Sequence, residues 1–135
     1  MEFIIYINKA FLESFGNKVE EDVEYNEKIN NIIHYINNNL ASDLSLDTLS
    51  QKFYLSKYHL LRQFKKYTGY TIHNYVHQKR LIMSKSLLKK GLSVTEVYSR
   101  CGFGDYSNFI RAFKKEYGLP PKTYITANHS NKVQL

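Results

Sequence analysis

A set of basic, aromatic and aliphatic residues recurs at helical spacing near the middle of the chain. The set consists of Lys57, Tyr58, Leu61, Arg62 and Lys65. Positions 58, 61, 62 and 65 share one helix face, and Leu60 and Phe64 lie on the opposite face. An exposed leucine can contact a thymine methyl group, and an arginine can donate hydrogen bonds to a guanine or to a phosphate. A solvated basic face is the alternative, but it gives no reason for exposing Tyr58 and Leu61.

Residues that could support catalysis or bind a metal are sparse. His73 and His77 have a spacing that can chelate a metal, yet no third ligand is apparent near them. Cys101 is the single cysteine, and we interpret it as a small buried hydrophobe rather than a redox sensor. The sequence has no phosphate-binding glycine loop, no paired carboxylates in its basic part and no nucleophile with a recognisable base. We therefore expect a protein that is not an enzyme and that needs no cofactor and no metal.

The net charge of +7 is unevenly distributed over the 135 residues. Residues 1–40 hold three lysines and seven acidic residues, whereas residues 41–135 hold sixteen lysines and arginines against five acidic residues. The basic part suits a polyanion such as nucleic acid, although an anionic membrane or simple solubility would also explain the charge. No apolar run approaches the roughly 20 residues of a membrane span, and the start lacks the features of a signal peptide. We expect a cytoplasmic protein with no membrane partner.

Helical periodicity and capping signals predict an all-α fold of about seven helices. Residues 25–40 place isoleucines on one face of a first helix, and Asn37 to Asn39 supply its stop. Later helices are predicted to start at or next to Ser45, Ser56, Thr71, Ser93, Asp105 and Pro121. The helix that follows Thr71 is about 18 residues long and is predicted to connect two smaller units.

An internal repeat links these two units. Residues 60–69 recur 49 positions later as residues 109–118, sharing an arginine, a phenylalanine, a pair of lysines and a final glycine. Each copy follows a short helix and a tight turn, which is the order of a helix-turn-helix. A connecting helix of about 18 residues spans about 27 Å. With the packed helices at its ends, this approaches the roughly 34 Å between major-groove segments on one face of B-DNA.

Residues 28–125 resemble the AraC/XylS family of transcription regulators. Residues 44–76 are similar to the family's first helix-turn-helix, and residues 92–124 are similar to its signature across the second. The match includes a Gly-Phe turn at 102–103, Phe-Lys-Lys at 113–115, Gly-x-x-Pro at 118–121, and Arg-Leu at 80–81 and Leu-Leu at 87–88 of the connecting helix. Two residues depart from the pattern. Tyr54 occupies a turn position often held by glycine, and Tyr98 stands where the family usually has alanine, so its ring must tilt a helix or point outward.

The resemblance implies two recognition helices that enter successive major-groove segments of one DNA duplex. It favours base reading by Lys57, Tyr58, Leu61 and Arg62 in the first unit, and it carries the same role to Tyr106, Ser107, Asn108 and Arg111 in the second. Asn108 has the donor and the acceptor needed to read adenine. We expect other basic residues to contact phosphates: Lys65, Lys66, Arg100, Lys114 and Lys115.

The function that the resemblance implies is sequence-specific binding of double-stranded promoter DNA, with activation more common than repression and RNA polymerase as a further partner. Residues 25–125 would form the DNA-binding domain and residues 126–135 a flexible tail after a short helix ending at Tyr124. Residues 1–24, an apolar helix and an acidic linker, would be the end of an upstream sensor and dimerisation domain. We expect this chain to be a monomeric fragment of a longer protein that can dimerise. A small complete regulator would also have this length, but it would give no reason for so apolar an N-terminal helix.

Two alternatives compete with this interpretation. A helical protein-interaction module could bind an acidic partner through its basic face, but it would give no reason for a repeat at groove spacing. A non-specific nucleic-acid packaging protein would need the lysines but not Tyr58, Leu61 and Asn108 on outward faces.

Overall fold

The computed structural model of the protein describes the backbone of residues 9–133 and the side chains of residues 23–127. Within this part of the chain the structure has seven α-helices and no strand. The helices are α1 (Lys9–Asn38), α2 (Leu46–Lys52), α3 (Lys57–Thr68), α4 (Ile72–Lys89), α5 (Val94–Arg100), α6 (Tyr106–Tyr117) and α7 (Pro121–Val133). The predicted all-α fold, with one long helix joining two helix-turn-helix units, is confirmed.

The first unit consists of α1, α2, α3 and the first turns of α4. Its fully or almost fully buried core includes Ile29, Ile32, Ile36, Leu49, Leu60, Phe64, Ile72 and Val76. The isoleucines of α1 pack against α3, as their spacing predicts. Helices of 7 and 12 residues such as α2 and α3 are too short to be stable alone in water. The shared core therefore holds them in place.

The second unit consists of the C-terminal half of α4 together with α5, α6 and α7. Its buried core comprises Leu81, Leu88, Val97, Cys101, Phe109 and Phe113. The ring of Phe113 contacts Tyr117 and Tyr124, with ring centroids 4.7 Å and 5.5 Å apart. The ammonium group of Lys85 on α4 lies over the same two tyrosine rings. These contacts attach α7 to the rest of the unit.

Helices α2 to α6 begin at the capping residues that the sequence predicts. In each case the side-chain oxygen of the cap accepts a hydrogen bond from a backbone N–H three residues later, and the caps are Ser45, Ser56, Thr71, Ser93 and Asp105. Such a cap satisfies a backbone donor that the helix itself cannot pair. Both α3 and α6 have 12 residues and end at a left-handed glycine, Gly69 or Gly118. The two copies of the repeat thus have the same start, length and stop.

Two segments differ from the prediction. The acidic stretch 19–27, interpreted as a linker, lies inside the continuous helix α1. Glutamate is a good helix former, and Glu24 pairs with Lys28 one turn later at 3.8 Å, so a scarcity of apolar residues here does not indicate a break in the helix. At the other end, α7 does not stop at Tyr124 but continues to Val133, because residues 125–133 contain neither glycine nor proline.

Arg80 of α4 joins the two units. Its Nε donates a 2.9 Å hydrogen bond to the carbonyl oxygen of Leu40, and its Nη2 donates a 3.1 Å bond to that of Ser42. Gly102, in the turn before α6, approaches the same backbone so closely that a Cβ atom there would overlap the Leu40 oxygen. The loop after α1 is therefore held by the connecting helix and by the turn of the second unit.

The turn between α2 and α3 contains a non-glycine residue in the left-handed region. Tyr54 has φ 55°, a conformation that is unfavourable for a side chain with a Cβ atom. Its ring is 91 % exposed and gains little by packing. The backbone of this turn keeps the conformation that glycine would favour.

Candidate nucleic-acid interface

The outward face of α3 carries the first group of candidate residues. The α3 face consists of Lys57, Tyr58, Leu61, Arg62 and Lys65, and all five are exposed. Leu60 and Phe64 on the opposite side are fully buried, which fixes the rotation of the helix about its axis. Tyr58 and Leu61 retain 64 % and 46 % of their accessible surface. Large apolar groups are thus presented to solvent beside a guanidinium.

Contacts within α3 and with α1 orient this face. Arg62 Nη1 donates a hydrogen bond to Tyr58 Oη at 3.1 Å, one helical turn away. The ring of His59 meets the Tyr58 ring edge to face, and His59 in turn stacks on Tyr25 of α1 at a centroid distance of 5.9 Å. Sequence reasoning did not identify Tyr25 and His59 as supports of this face. The only signal for Tyr25 was its place on the predicted inner face of the first helix.

Lys57 differs from its neighbours because its ammonium group forms an ion pair with Asp47 of α2. Both side chains are more than half exposed, so the pair is open to water and contributes little to stability. It brings the start of α3 next to α2. A polyanion approaching α3 would compete with Asp47 for this lysine.

The N-terminal half of α6 carries the second group. The α6 face consists of Tyr106, Ser107, Asn108 and Arg111, all exposed, while Phe109 and Phe113 are fully buried. Asp105 caps the helix by accepting a hydrogen bond from the Asn108 N–H at 3.1 Å, which confirms its predicted role as a cap. Arg111 Nη2 donates a hydrogen bond to Asn108 Oδ1. The amide of Asn108 is therefore held by the guanidinium beside it.

Tyr98 of α5 packs against the core of the second unit and against the start of α6. The ring is half-buried and meets the Tyr106 ring edge to face, at a centroid distance of 5.3 Å and an angle of 85°. The bulk that replaces the family's usual alanine thus supports the first residue of the α6 face.

The predicted phosphate-contacting residues are Lys65, Lys66, Arg100, Lys114 and Lys115, and all are exposed. They follow the two outward faces: one pair ends α3, another pair lies in the last turn of α6, and Arg100 ends α5. Lys115 also lines a groove between α4 and α6, together with His77 and Gln78. Their exposure suits contact with a surface larger than a small molecule.

The remaining titratable groups do not form a reactive site. Burial raises the pKa of the Cys101 thiol to about 11, so the thiol stays protonated near neutral pH, as expected for a small buried hydrophobe. Among the residues that the structure describes, no three histidine, cysteine or acidic side chains are grouped as a metal site would need. No helix in the same part of the chain is long and apolar enough to cross a membrane.

The fold and these exposed faces define a protein with two helix-turn-helix units, each with a capped second helix directed outward. Residues 49–127 match the family profile of a helix-turn-helix domain. The chain belongs to the AraC family, through the family's DNA-binding domain. This is a family of DNA-binding transcription regulators and not of enzymes.

Two kinds of relatives illustrate this membership. The transcriptional activator RhaS of Salmonella arizonae is 30 % identical over 120 residues, which cover 88 % of this chain but only 43 % of RhaS. The chain thus spans less than half the length of the curated relatives it matches. The C-terminal domain of the response regulator yesN from Fusobacterium nucleatum is 35 % identical, with a TM-score of 0.66 over 70 % of this chain and 93 % of that domain.

A third relative shares the fold at lower identity. The DNA-binding domain of AdpA, solved in complex with a target DNA, is 24 % identical with a TM-score of 0.73. The similarity covers 79 % of this chain and 97 % of the AdpA domain.

Proposed function

We propose that this chain binds double-stranded promoter DNA in a sequence-specific manner and acts as a transcription activator. In this proposal α3 and α6 enter two successive major-groove segments on one side of the duplex. The observation that carries it is the pair of 12-residue helices with matching caps and stops, each buried on one side and exposed on the other.

The composition of the two faces supports base reading in addition to charge attraction. The α3 face offers an aliphatic side chain at Leu61 and a guanidinium at Arg62, which suit a thymine methyl group and a guanine edge. The α6 face offers Asn108, whose amide can pair with adenine once Arg111 turns to the DNA. A purely electrostatic surface would gain nothing from an exposed leucine, because phosphates carry no apolar group.

The exposed lysines and arginines at the flanks have a different role in this proposal. Lys65, Lys66, Arg100, Lys114 and Lys115 neutralise phosphates and thereby fix the position of the protein on the duplex. Lys57 joins the base-contacting group once DNA draws it away from Asp47.

The wider role of the protein extends the same proposal. The activator RhaS is a relative, and we infer that this protein likewise raises transcription, by contacting RNA polymerase from its DNA site. Such a regulator acts in the cytoplasm of a bacterium, where the promoters are.

Residues 1–24 would connect residues 25–125 to an upstream sensor and dimerisation domain through the continuous helix α1. Residues 126–133, the last turns of α7, would take no part in DNA contact.

The second candidate function is a helical module that binds an acidic protein through its basic surface. The exposed lysines favour it equally well. It does not explain why α3 and α6 share a side-chain cap at the equivalent position, the same length and a glycine stop, nor why Leu61 and Asn108 are exposed.

Selection of binding sites from a pool of random duplexes at physiological salt tests the proposal. We expect enrichment of a bipartite motif whose halves lie about 10 base pairs apart, one helical turn of DNA. The double substitution Asn108→Ala and Arg111→Ala should remove the information in one half of the motif only. The matched control is Lys122→Ala, an exposed residue of α7 outside both faces, which should leave the motif unchanged.

An unenriched pool would reject sequence-specific binding and favour the protein-interaction module. A single undivided motif would reject the use of two recognition helices. Activation is measured separately, as transcription by purified RNA polymerase from a promoter that carries the selected site, and it should rise when the protein is added.

A further inference from the structure

His73 and His77 lie on α4 between the two candidate recognition helices. His73 borders a crevice of about 280 Å³ that is also lined by Leu61 of the α3 face. One turn further along, the His77 ring meets Phe103 in the turn before α6, with centroids 6.0 Å apart, and borders the groove shared with Lys115 of α6. The two imidazoles stack on each other at 6.0 Å with planes 17° apart. The histidine pair therefore bridges the surfaces beside α3 and α6.

The ring nitrogens of both imidazoles are available to a partner outside the chain. Among the residues that the structure describes, neither ring has a hydrogen-bond partner. His73 is exposed, and His77 is half-buried with no ring nitrogen buried and unpaired. Nothing in the described part of the chain thus competes for these nitrogens.

The shape of B-DNA indicates what would meet them. Two successive major-groove segments on one side of a duplex are separated by a minor groove about 6 Å wide, bordered by phosphates of both strands. When α3 and α6 occupy those segments, the part of α4 between them lies opposite this minor groove. We propose that His73 and His77 form a third DNA contact, in which their imidazoles bind phosphates at the edges of the intervening minor groove. This inference rests on the proposed function.

The electrostatics of the site give the contact a pH dependence. The pKa of His77 lies below its ordinary value of 6.5, chiefly because the ring is partly buried and next because His73 is close to it. The charges of Arg80 and Lys115 lower this pKa as well, whereas the charge of Glu116 raises it. The crevice beside His73 is lined by uncharged side chains apart from the histidine itself. A neighbouring phosphate stabilises the imidazolium and raises the pKa in the complex above that of the free protein. DNA binding therefore takes up protons, and affinity rises as the pH falls.

The test measures DNA affinity by fluorescence anisotropy on a selected duplex from about pH 8 to about pH 5.5, at constant ionic strength and with a chelator present. A pKa raised by about one unit in the complex corresponds to a gain in affinity of up to roughly tenfold over this interval. The double variant His73→Gln, His77→Gln should lose this gain while matching the unmodified protein at the high-pH end. At low pH the unmodified protein should also show a salt slope steeper by about one unit for each phosphate contacted.

Two further variants keep the result interpretable. His34→Gln removes another exposed histidine, on α1, and should retain the full pH dependence. His73→Gln alone changes only an exposed ring and should remove part of the gain even if the double variant folds poorly. The inference is overturned if His73→Gln and the double variant keep the pH dependence of the unmodified protein. If the unmodified protein binds its site selectively and the histidine variants bind with the same affinity at every pH, only the third contact is rejected. If the unmodified protein shows no selective binding at any pH, the proposed function is rejected as well.

Discussion

The rings of Tyr98 and Tyr106 meet edge to face across the α5–α6 turn, with centroids 5.3 Å apart. Tyr98 is half-buried, whereas Tyr106 is the first residue of α6 and remains 45 % exposed. An aromatic pair of this geometry stabilises by about 0.5 to 1.5 kcal/mol beyond the area that it buries. The inner ring thus restricts the orientation of the outer one.

We expect Tyr98→Ala to relax DNA preference in the half-site contacted by α6 and to lower the free energy of unfolding by about 1 to 2 kcal/mol. The reason is that Tyr106 loses the ring that orients it. Site selection and denaturant unfolding measure the two effects. If Tyr98 acts through Tyr106, the double variant Tyr98→Ala, Tyr106→Ala should show no more relaxation than Tyr106→Ala alone. Additive losses of preference would assign Tyr98 a separate role.

Arg62→Ala and Lys114→Ala should separate base reading from phosphate contact. Arg62 lies on the α3 face, so its loss should weaken a selected site by about 1 to 3 kcal/mol and a scrambled duplex less. Lys114 lies in the last turn of α6, and its loss should weaken both duplexes similarly and reduce the salt slope by about one unit. Binding titrations over a salt series measure both. Equal losses on the two duplexes for Arg62→Ala would identify Arg62 as a phosphate contact.

Gly102→Ala should be much more destabilising than Gly118→Ala. Both glycines have nearly the same positive φ, 83° and 81°, so the backbone strain from an added Cβ is matched. The space around Gly118 is open, whereas a Cβ at Gly102 would overlap the Leu40 carbonyl oxygen. We expect a loss of about 1 kcal/mol for Gly118→Ala and of about 3 kcal/mol or more for Gly102→Ala. Gly102→Val should be worse still, because a β-branched residue strongly disfavours positive φ. Urea unfolding measures these losses. If the two alanine variants lose the same free energy of unfolding, the backbone at residues 40–41 can move aside at little cost.

The 135-residue chain should be mainly monomeric at roughly micromolar concentration, since one chain already contains two recognition helices. Sedimentation velocity measures this directly. The apolar residues most able to cause association, Ile4, Ile7 and Phe11, lie outside the residues whose side chains the structure describes. A tight dimer that persists after deletion of residues 1–20 would contradict the expectation.

Local chemistry explains which features could be predicted from the sequence. A serine or aspartate cap bonds to a backbone N–H only three residues away, so Ser56 and Asp105 mark helix starts whatever surrounds them. A left-handed glycine stop is equally local, and the final glycine that the two copies of the repeat share ends both helices. Because the buried positions of a helix follow its period, the exposure of Leu61 and Arg62 opposite Leu60 and Phe64 also followed from spacing alone.

Contacts between distant parts of the chain had to come from the tertiary structure. The bond from Arg80 to Leu40 spans 40 residues, and the close approach of Gly102 to the same loop spans more. The direction of the Tyr98 ring depended on how α5 packs against α6, since the sequence allowed a tilted helix equally well. His73 and His77 were recognisable by their spacing, but only the tertiary structure placed His73 beside Leu61 of the α3 face and His77 beside Lys115 of α6. The local sequence determines where each helix begins and ends and which of its sides is buried. The relative placement of the helices depends on side-chain packing across the whole core.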